Sequence, residues 1–337
     1  MTQPPKERAL RVLVTTPYLE PGGAVDRILR DAGLDPVFAR RADREAAGTT
    51  LAECVADVAG VVAGTDAFSA EVIEAAPALR ILSRCGVGYD NIDVEAATRH
   101  GVAVAITPGT NRVSVAEHVL ALMLNGARRI PQNLAAVRGG VWTQESGREL
   151  RGATLGVVGL GSIGRTVARA ALALGMRVVA HDPWLDEDFL TETGVEALPL
   201  DDVLAAADFL TLHISLDETT RHLIDAAALR RMKPDAYLIN TARGGVVDED
   251  ALADAVEAGR LAGVALDVTE REPLPADSRL RALDSVIVTA HIAAATVEAR
   301  ARSGAMAARH VVELLAGRTP EHLVNPASVS PATAGAR

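Results

Sequence analysis

Three residues of this 337-residue chain stand just beyond three apolar runs: Arg243 after "AYLINTA", Glu272 after "GVALDV", and His291 after "SVIVTA". A guanidinium is a planar fork that grips a carboxylate through two parallel bonds and polarises a neighbouring carbonyl. Imidazole, with an ordinary pKa of about 6.5, exchanges a proton near neutral pH. A carboxylate beside it orients the ring and stabilises its charged form. The set suits hydride transfer to a keto acid, which needs a clamp for the carboxylate, an acid for the developing alkoxide, and something to orient both. Such acid–base catalysis is worth roughly 10²- to 10⁴-fold in rate. Singly, each residue has a plainer reading. An arginine after a strand commonly caps carbonyls or pairs with an acid such as Asp248, a histidine at a strand end is commonly structural, and Glu272 before Pro273 fits a solvated turn. What gives the set weight is its joint arrangement behind a glycine-rich loop.

That loop is Gly159-Leu160-Gly161-Ser162-Ile163-Gly164, in "TLGVVGLGSIGRTVARAALALGMRVVAHDP". It follows an apolar run, opens a helical pattern, and is followed by a second apolar run ending at Asp182, as a dinucleotide site requires. Gly159 permits the tight turn, Gly161 admits the pyrophosphate to the backbone, and Gly164 lets helix pack on strand. The pyrophosphate would meet the unpaired N–H groups of the helix start. Asp182 would accept the adenosine ribose hydroxyls. Its charge would repel a 2′-phosphate and no arginine follows it, so the expected cofactor is NAD.

These residues need elements to position them. Short β-branched runs alternate with helical patterns almost throughout, which implies α/β architecture with parallel sheets covered on both faces. Strands are expected from "LRVLVTTP" at the start and over 58–64, 79–83, 101–107, 154–158, 177–181, 208–214, 236–241, 263–268 and 285–290. Residues 113–129 read as one long helix, a Trp-containing loop follows at 139–152, and a last helix covers about 296–316. In an open sheet of this kind ligands bind outside the carboxyl ends of the strands, where Arg243, Glu272 and His291 would converge.

Composition sets the outer limits. Hydrophobic residues make up 49% and charged residues 23%, ordinary for a globular enzyme. A net charge of −10 argues against nucleic acid or an anionic membrane surface as partner. Cys54 and Cys85 form no CxxC, so neither a disulfide nor a metal site is expected, and a reducing cytoplasm is the simpler setting. No signal-peptide pattern or apolar span of about 18 residues is present.

Taken in order, "SRCGVGYDNID", "TPGTNRVSVAEH", "LGVVGLGSIGR", "INTARGGVVDE", "ALDV", "EPLP" and "TAHIAAAT" resemble the D-isomer-specific 2-hydroxyacid dehydrogenases over residues 10–326. The resemblance implies two doubly wound Rossmann-like domains closing over a cleft. A discontinuous, flavodoxin-like substrate domain would take 1–107 plus 296–326, with an NAD-binding domain inserted at 108–295 and a disordered tail at 327–337. It implies Arg243 as the catalytic arginine, Glu272 as glutamate partner and His291 as acid/base. Ser162, Ile163, Asp182, Thr241, Ala242 and Asp267 match cofactor-contacting positions, and the N–H groups around Val87 and Gly88 would hold the substrate carboxylate. A homodimer joined through the long helix and the Trp-containing loop is also implied.

Within the family, "NIDVEAATRHGVAV" and "NTARGGVVDE" look most like phosphoglycerate dehydrogenases, making D-3-phosphoglycerate and 3-phosphohydroxypyruvate the expected pair. Arg84 and Arg128 match arginines placed near the substrate phosphate. The chain departs from that pattern at three points: Gly64 or its neighbours replace a further arginine, Ile106 an asparagine, and Thr269 an aromatic. No regulatory domain is expected after "LVNP", and hence no control by serine. Reduction of glyoxylate or hydroxypyruvate is the alternative within the same chemistry. A corepressor-like protein that senses NADH without turnover is the alternative from another class. Glu117 and His118, inside the long helix, read as structural.

Overall fold

The computed structural model describes residues 9–142 and 144–329. The chain divides into two compact units, one formed by residues 1–111 with 296–337 and the other by 112–295.

The first unit is built on five parallel strands, β1 (Arg11–Val14), β2 (Asp35–Phe38), β3 (Gly60–Ala63), β4 (Ile81–Arg84) and β5 (Ala103–Ala105), in the order β2-β1-β3-β4-β5. This is the flavodoxin-like order. Strands β3 to β5 are almost wholly buried, as strands covered on both faces must be. The helix Val297–Leu315 returns to cover this sheet, and Val311 packs against Gly60 of β3.

Strand β2 escapes sequence reading because it is short and contains Pro36. Asp35 N and Ala39 N donate to Leu10 O and Val14 O of the neighbouring strand, so the alternate residue, Pro36, turns its missing N–H to the open edge. An edge is where a sheet tolerates proline.

The second unit carries seven parallel strands: β6 (Thr154–Val158), β7 (Arg177–His181), β8 (Glu196–Ala197), β9 (Phe209–Leu212), β10 (Tyr237–Asn240), β11 (Gly263–Leu266) and β12 (Val286–Val288). Their order is β12-β11-β10-β9-β6-β7-β8, a dinucleotide-binding sheet with one strand added, reversing direction between β6 and β9. Both faces are packed, with Leu155, Val157 and Ile239 in one cluster and Val158, Leu210 and Leu238 in the other.

Two expectations need correction. The long helix runs Arg112–Ala127 and stops short of 129, because Arg129 adopts a left-handed conformation (φ 50°) and a separate helix, Ile130–Arg138, begins. The tail expected to be disordered from 327 instead begins with a 3-10 turn, Pro326–Val329. That turn is anchored by buried Asn325, whose Oδ1 accepts from Val104 N at 2.7 Å while its Nδ2 donates to Val102 O at 2.9 Å. The rest of the expected tail, 330–337, lies outside the described residues.

Candidate active site

The glycine loop joins β6 to the helix Ser162–Ala173. Gly159 has φ +95°, and a Cβ there would lie 2.6 Å from His213 O. A Cβ on Gly164 would lie 2.0 Å from Gly159 O, so helix and turn touch only because residue 164 is glycine. A Cβ on Gly161 would meet nothing within 4 Å. The loop therefore presents open space above a helix N-terminus, where phosphate oxygens are favoured. Ser162 and Ile163 begin that helix.

Asp182 follows β7. Its Oδ2 accepts from Leu160 N at 2.7 Å and its Oδ1 from Trp184 N at 2.8 Å. The carboxylate is thereby fixed beside the glycine turn, with lone pairs left on both oxygens for ribose hydroxyls. Thr241 Oγ1 is buried without a hydrogen-bond partner among the described residues. A buried hydroxyl left unmatched costs free energy, so it marks a place where a polar ligand atom fits. These features suit a dinucleotide, and Thr241, Ala242 and Asp182 are the residues that would hold it.

Arg243 follows β10 in a turn held by Asn240, whose Oδ1 accepts from Ala242 N at 3.0 Å and whose Nδ2 donates to Arg243 O at 2.9 Å. Arg243 Nη1 donates to Ala242 O at 2.8 Å. Gly244 lets this turn lie against the loop after β11, for a Cβ there would come within 2.1 Å of Thr269 O. Glu272 sits on that second loop. Its Oε2 lies 2.9 Å from His291 Nδ1, and its Oε1 accepts from Thr269 N at 3.4 Å. Burial draws the Glu272 carboxyl up, but the bond to His291, the histidine's charge and the nearby Arg243 outweigh it and hold the carboxyl below the ordinary glutamate range.

His291 lies three residues past β12 at φ 53°, a left-handed conformation that costs a non-glycine residue on the order of 1–3 kcal/mol unless its surroundings impose it. Asp267 imposes it. The Asp267 backbone oxygen accepts from His291 N at 2.8 Å, its Oδ1 from Ile292 N at 2.8 Å, and its Oδ2 from Ala293 N at 2.8 Å. Thr289 Oγ1 donates to the same Oδ1 at 2.5 Å. Burial pushes this carboxyl up, yet the His118 and Thr289 side chains and the two N–H groups bring it down to about 2. The carboxylate is fully shielded from solvent. Expected as a cofactor contact, Asp267 here organises the loop that presents His291.

The remaining candidates lie on other elements. Arg128 follows the helix whose Gly126 packs on the ring of Tyr237, the first residue of β10, and the next loop bonds there too, Arg148 Nη1 donating to Asp235 O at 2.8 Å. Arg128 is thus near the amino end of β10, whereas Arg243 is at the carboxyl end, a strand's length of about 13 Å away. It lines a depression with Ile130, Asn133, Leu134 and Val137. In the first unit, Arg84 ends β4 and its Nη1 donates to Cys85 O. The Val87–Gly88 turn follows Gly86, whose N–H donates to Thr107 Oγ1 at 2.7 Å. Glu117 is exposed, while His118 reaches the Asp267 loop, a contact sequence reading missed.

Among the described residues no group of three or more His, Cys, Asp or Glu is placed to hold a metal ion, and no helix is long and apolar enough to cross a membrane.

Residues 120–293 match the model for the NAD-binding domain of D-isomer specific 2-hydroxyacid dehydrogenases. The chain is 41% identical over 324 residues to a D-3-phosphoglycerate dehydrogenase of Archaeoglobus fulgidus, covering 96% of this chain and 60% of that one. It is 44% identical over 267 residues to a glyoxylate reductase of Korarchaeum cryptofilum, covering 77% of this chain and 80% of the other. Among solved structures, D-lactate dehydrogenase from Aquifex aeolicus, complexed with NAD and lactic acid, superposes with a TM-score of 0.82 at 29% identity, covering 94% and 99% of the two chains.

Proposed function

This chain belongs to the D-isomer specific 2-hydroxyacid dehydrogenases, and we propose that it transfers a hydride between NAD(H) and a 2-hydroxy or 2-keto acid. The observation that carries the reading is the Glu272–His291 pair at 2.9 Å, beside Arg243, at the carboxyl ends of adjacent strands of one sheet. That sheet's first turn also carries the dinucleotide loop.

NADH, when bound, supplies the hydride. Arg243 engages the substrate carboxylate and polarises the carbonyl through its planar fork. The Glu272 carboxylate accepts the proton on His291 Nδ1, which leaves Nε2 to deliver a proton to the nascent alkoxide or to recover it in the oxidative direction. In the first unit, the N–H groups of Val87 and Gly88 are our candidates for further bonds to the substrate.

We assign D-3-phosphoglycerate and 3-phosphohydroxypyruvate as the substrate pair. The Archaeoglobus relative bears that name, though the chain spans only 60% of its length. A second reading, reduction of an unphosphorylated acid such as glyoxylate or hydroxypyruvate, is favoured by the loop after β3. There Gly64 N donates to Thr15 Oγ1 at 3.0 Å, and residues 64–68 carry the buried carboxylate of Asp66 and no Lys or Arg of their own. We further propose a cytoplasmic homodimer. Its joining surface would be the exposed apolar side chains of Leu134, Val137, Val141 and Trp142.

The test is NADH oxidation, followed by absorbance, with 3-phosphohydroxypyruvate, hydroxypyruvate, glyoxylate and pyruvate in parallel. Preference for the phosphorylated acid supports the first assignment, and preference for the others supports the second. NADH binding without turnover of any of them would overturn both in favour of a sensor.

A further inference from the structure

His118 is a titratable side chain near this site that the chemistry above leaves unused. It sits on the helix Arg112–Ala127, with its imidazole mostly buried, and Nε2 lies 3.2 Å from Thr289 Oγ1 and 3.4 Å from Asp267 Oδ1. A threonine hydroxyl has a single proton to give, and that of Thr289 goes to Asp267 Oδ1. The bond between His118 and Thr289 must therefore run the other way, with Nε2–H as donor. Both the neutral Nε2–H tautomer and the charged ring meet this requirement. His118 thus holds Thr289, which in turn supplies the side-chain donor on a carboxylate whose other bonds fix Ile292 and Ala293.

We infer that His118 is a positioning residue: through Thr289 and Asp267 it locks the left-handed turn that aims His291 at the substrate. The argument has two steps. Asp267 is sealed from solvent, so if Thr289 Oγ1, no longer held by Nε2, swings away from Oδ1, no water replaces it and the carboxylate must shift toward new partners or take a proton. The same carboxylate holds the two N–H groups immediately after His291, so any shift moves the imidazole away from Glu272. Displacements of about 1 Å in a reacting group are enough to cost roughly 100-fold in rate.

The role rests on the dehydrogenase reading, but its test has an arm that does not. Wild type, His118→Phe and His118→Gln would be compared. Phenylalanine keeps a ring and removes the donor, whereas glutamine keeps an N–H at similar reach. Steady-state kinetics with NADH and the best keto acid would be run beside peptide-resolved hydrogen exchange over 286–296. We expect His118→Phe to lower kcat by about tenfold or more with KM for NADH nearly unchanged, to speed exchange in that peptide, and His118→Gln to restore most of both. If wild type turns over no keto acid, the dehydrogenase reading fails while the exchange comparison still decides whether His118 holds the loop. Unchanged exchange in His118→Phe overturns the inference. So does faster exchange with undiminished kcat in an active enzyme. Equal losses in both variants with a common drop in Tm would make His118 a packing residue and overturn it as well.

Discussion

Glu272 and His291 come from loops after neighbouring strands, yet meet at 2.9 Å, Oε2 to Nδ1. The pair fixes which ring nitrogen is left for the substrate. Because the Glu272 carboxyl is held below its ordinary range, its ionic contribution is fully present above the unfolded value of about 4.3 and is lost only as pH falls through the lower folded one. Glu272→Gln keeps a partner for Nδ1 but removes the charge. Its kcat is expected to fall by roughly tenfold or more, and wild-type pH profiles should show no loss of this pair between pH 7 and about 5. A Gln variant with wild-type kcat across that range would show that the charge is irrelevant.

Replacing His291 itself removes the proton donor. His291→Ala should bind NADH nearly as wild type does, because the dinucleotide loop lies on other elements, while the rate falls by about 100-fold or more. Stopped-flow hydride transfer alongside NADH fluorescence titration separates the two, and near-normal transfer would take His291 out of the acid/base role.

Arg243→Lys tests the fork. The Asn240 turn would still place the side chain, but a single ammonium cannot make two parallel bonds to a carboxylate. KM for the keto acid should rise about tenfold or more with KM for NADH little changed. Equal kinetic constants would place the clamp elsewhere.

How far these residues could be read from sequence follows from how local their signals are. The dinucleotide loop is contiguous, and Asp182 directly follows the strand that must come next, so spacing alone finds them. Arg243 and His291 were legible because each interrupts an apolar run where a strand must end. The His118–Thr289 contact, 171 residues apart, leaves no local trace, since a histidine inside a helix looks the same whatever it faces. Strands β2 and β8 are too short or too polar for a two-residue period to emerge.

Asp182 should set cofactor choice. Asp182→Ala removes the charge that disfavours a 2′-phosphate and the acceptor for the ribose, so the ratio of kcat/KM for NAD over NADP should fall by about tenfold or more. The variant also frees Leu160 N, so both affinities are expected to weaken somewhat. An unaltered ratio would refute the ribose assignment.

Two glycines of the loop should respond differently to the same methyl group. Gly161→Ala meets nothing in the protein and has an ordinary φ of −72°, so Tm should hold while NADH affinity drops from the lost approach of the pyrophosphate. Gly164→Ala drives its Cβ into Gly159 O and should cost about 1–3 kcal/mol of stability in addition to affinity. Equal melting temperatures for the two variants would show that helix and turn are not in firm contact.

Asp267 offers a prediction about stability. Its folded pKa, about 2, is depressed from the ordinary 3.8, so it contributes stability above about pH 4 and loses it as pH falls toward 2. The shift corresponds to about 2 kcal/mol. Asp267→Asn cannot ionise and lacks that pH-dependent part. The difference in urea unfolding free energy between wild type and Asp267→Asn should therefore be largest near neutral pH and shrink by about 2 kcal/mol as pH falls toward 2. A gap that stays constant on acidification would mean that the hydrogen-bond geometry, and not the charge on Asp267, holds the His291 loop.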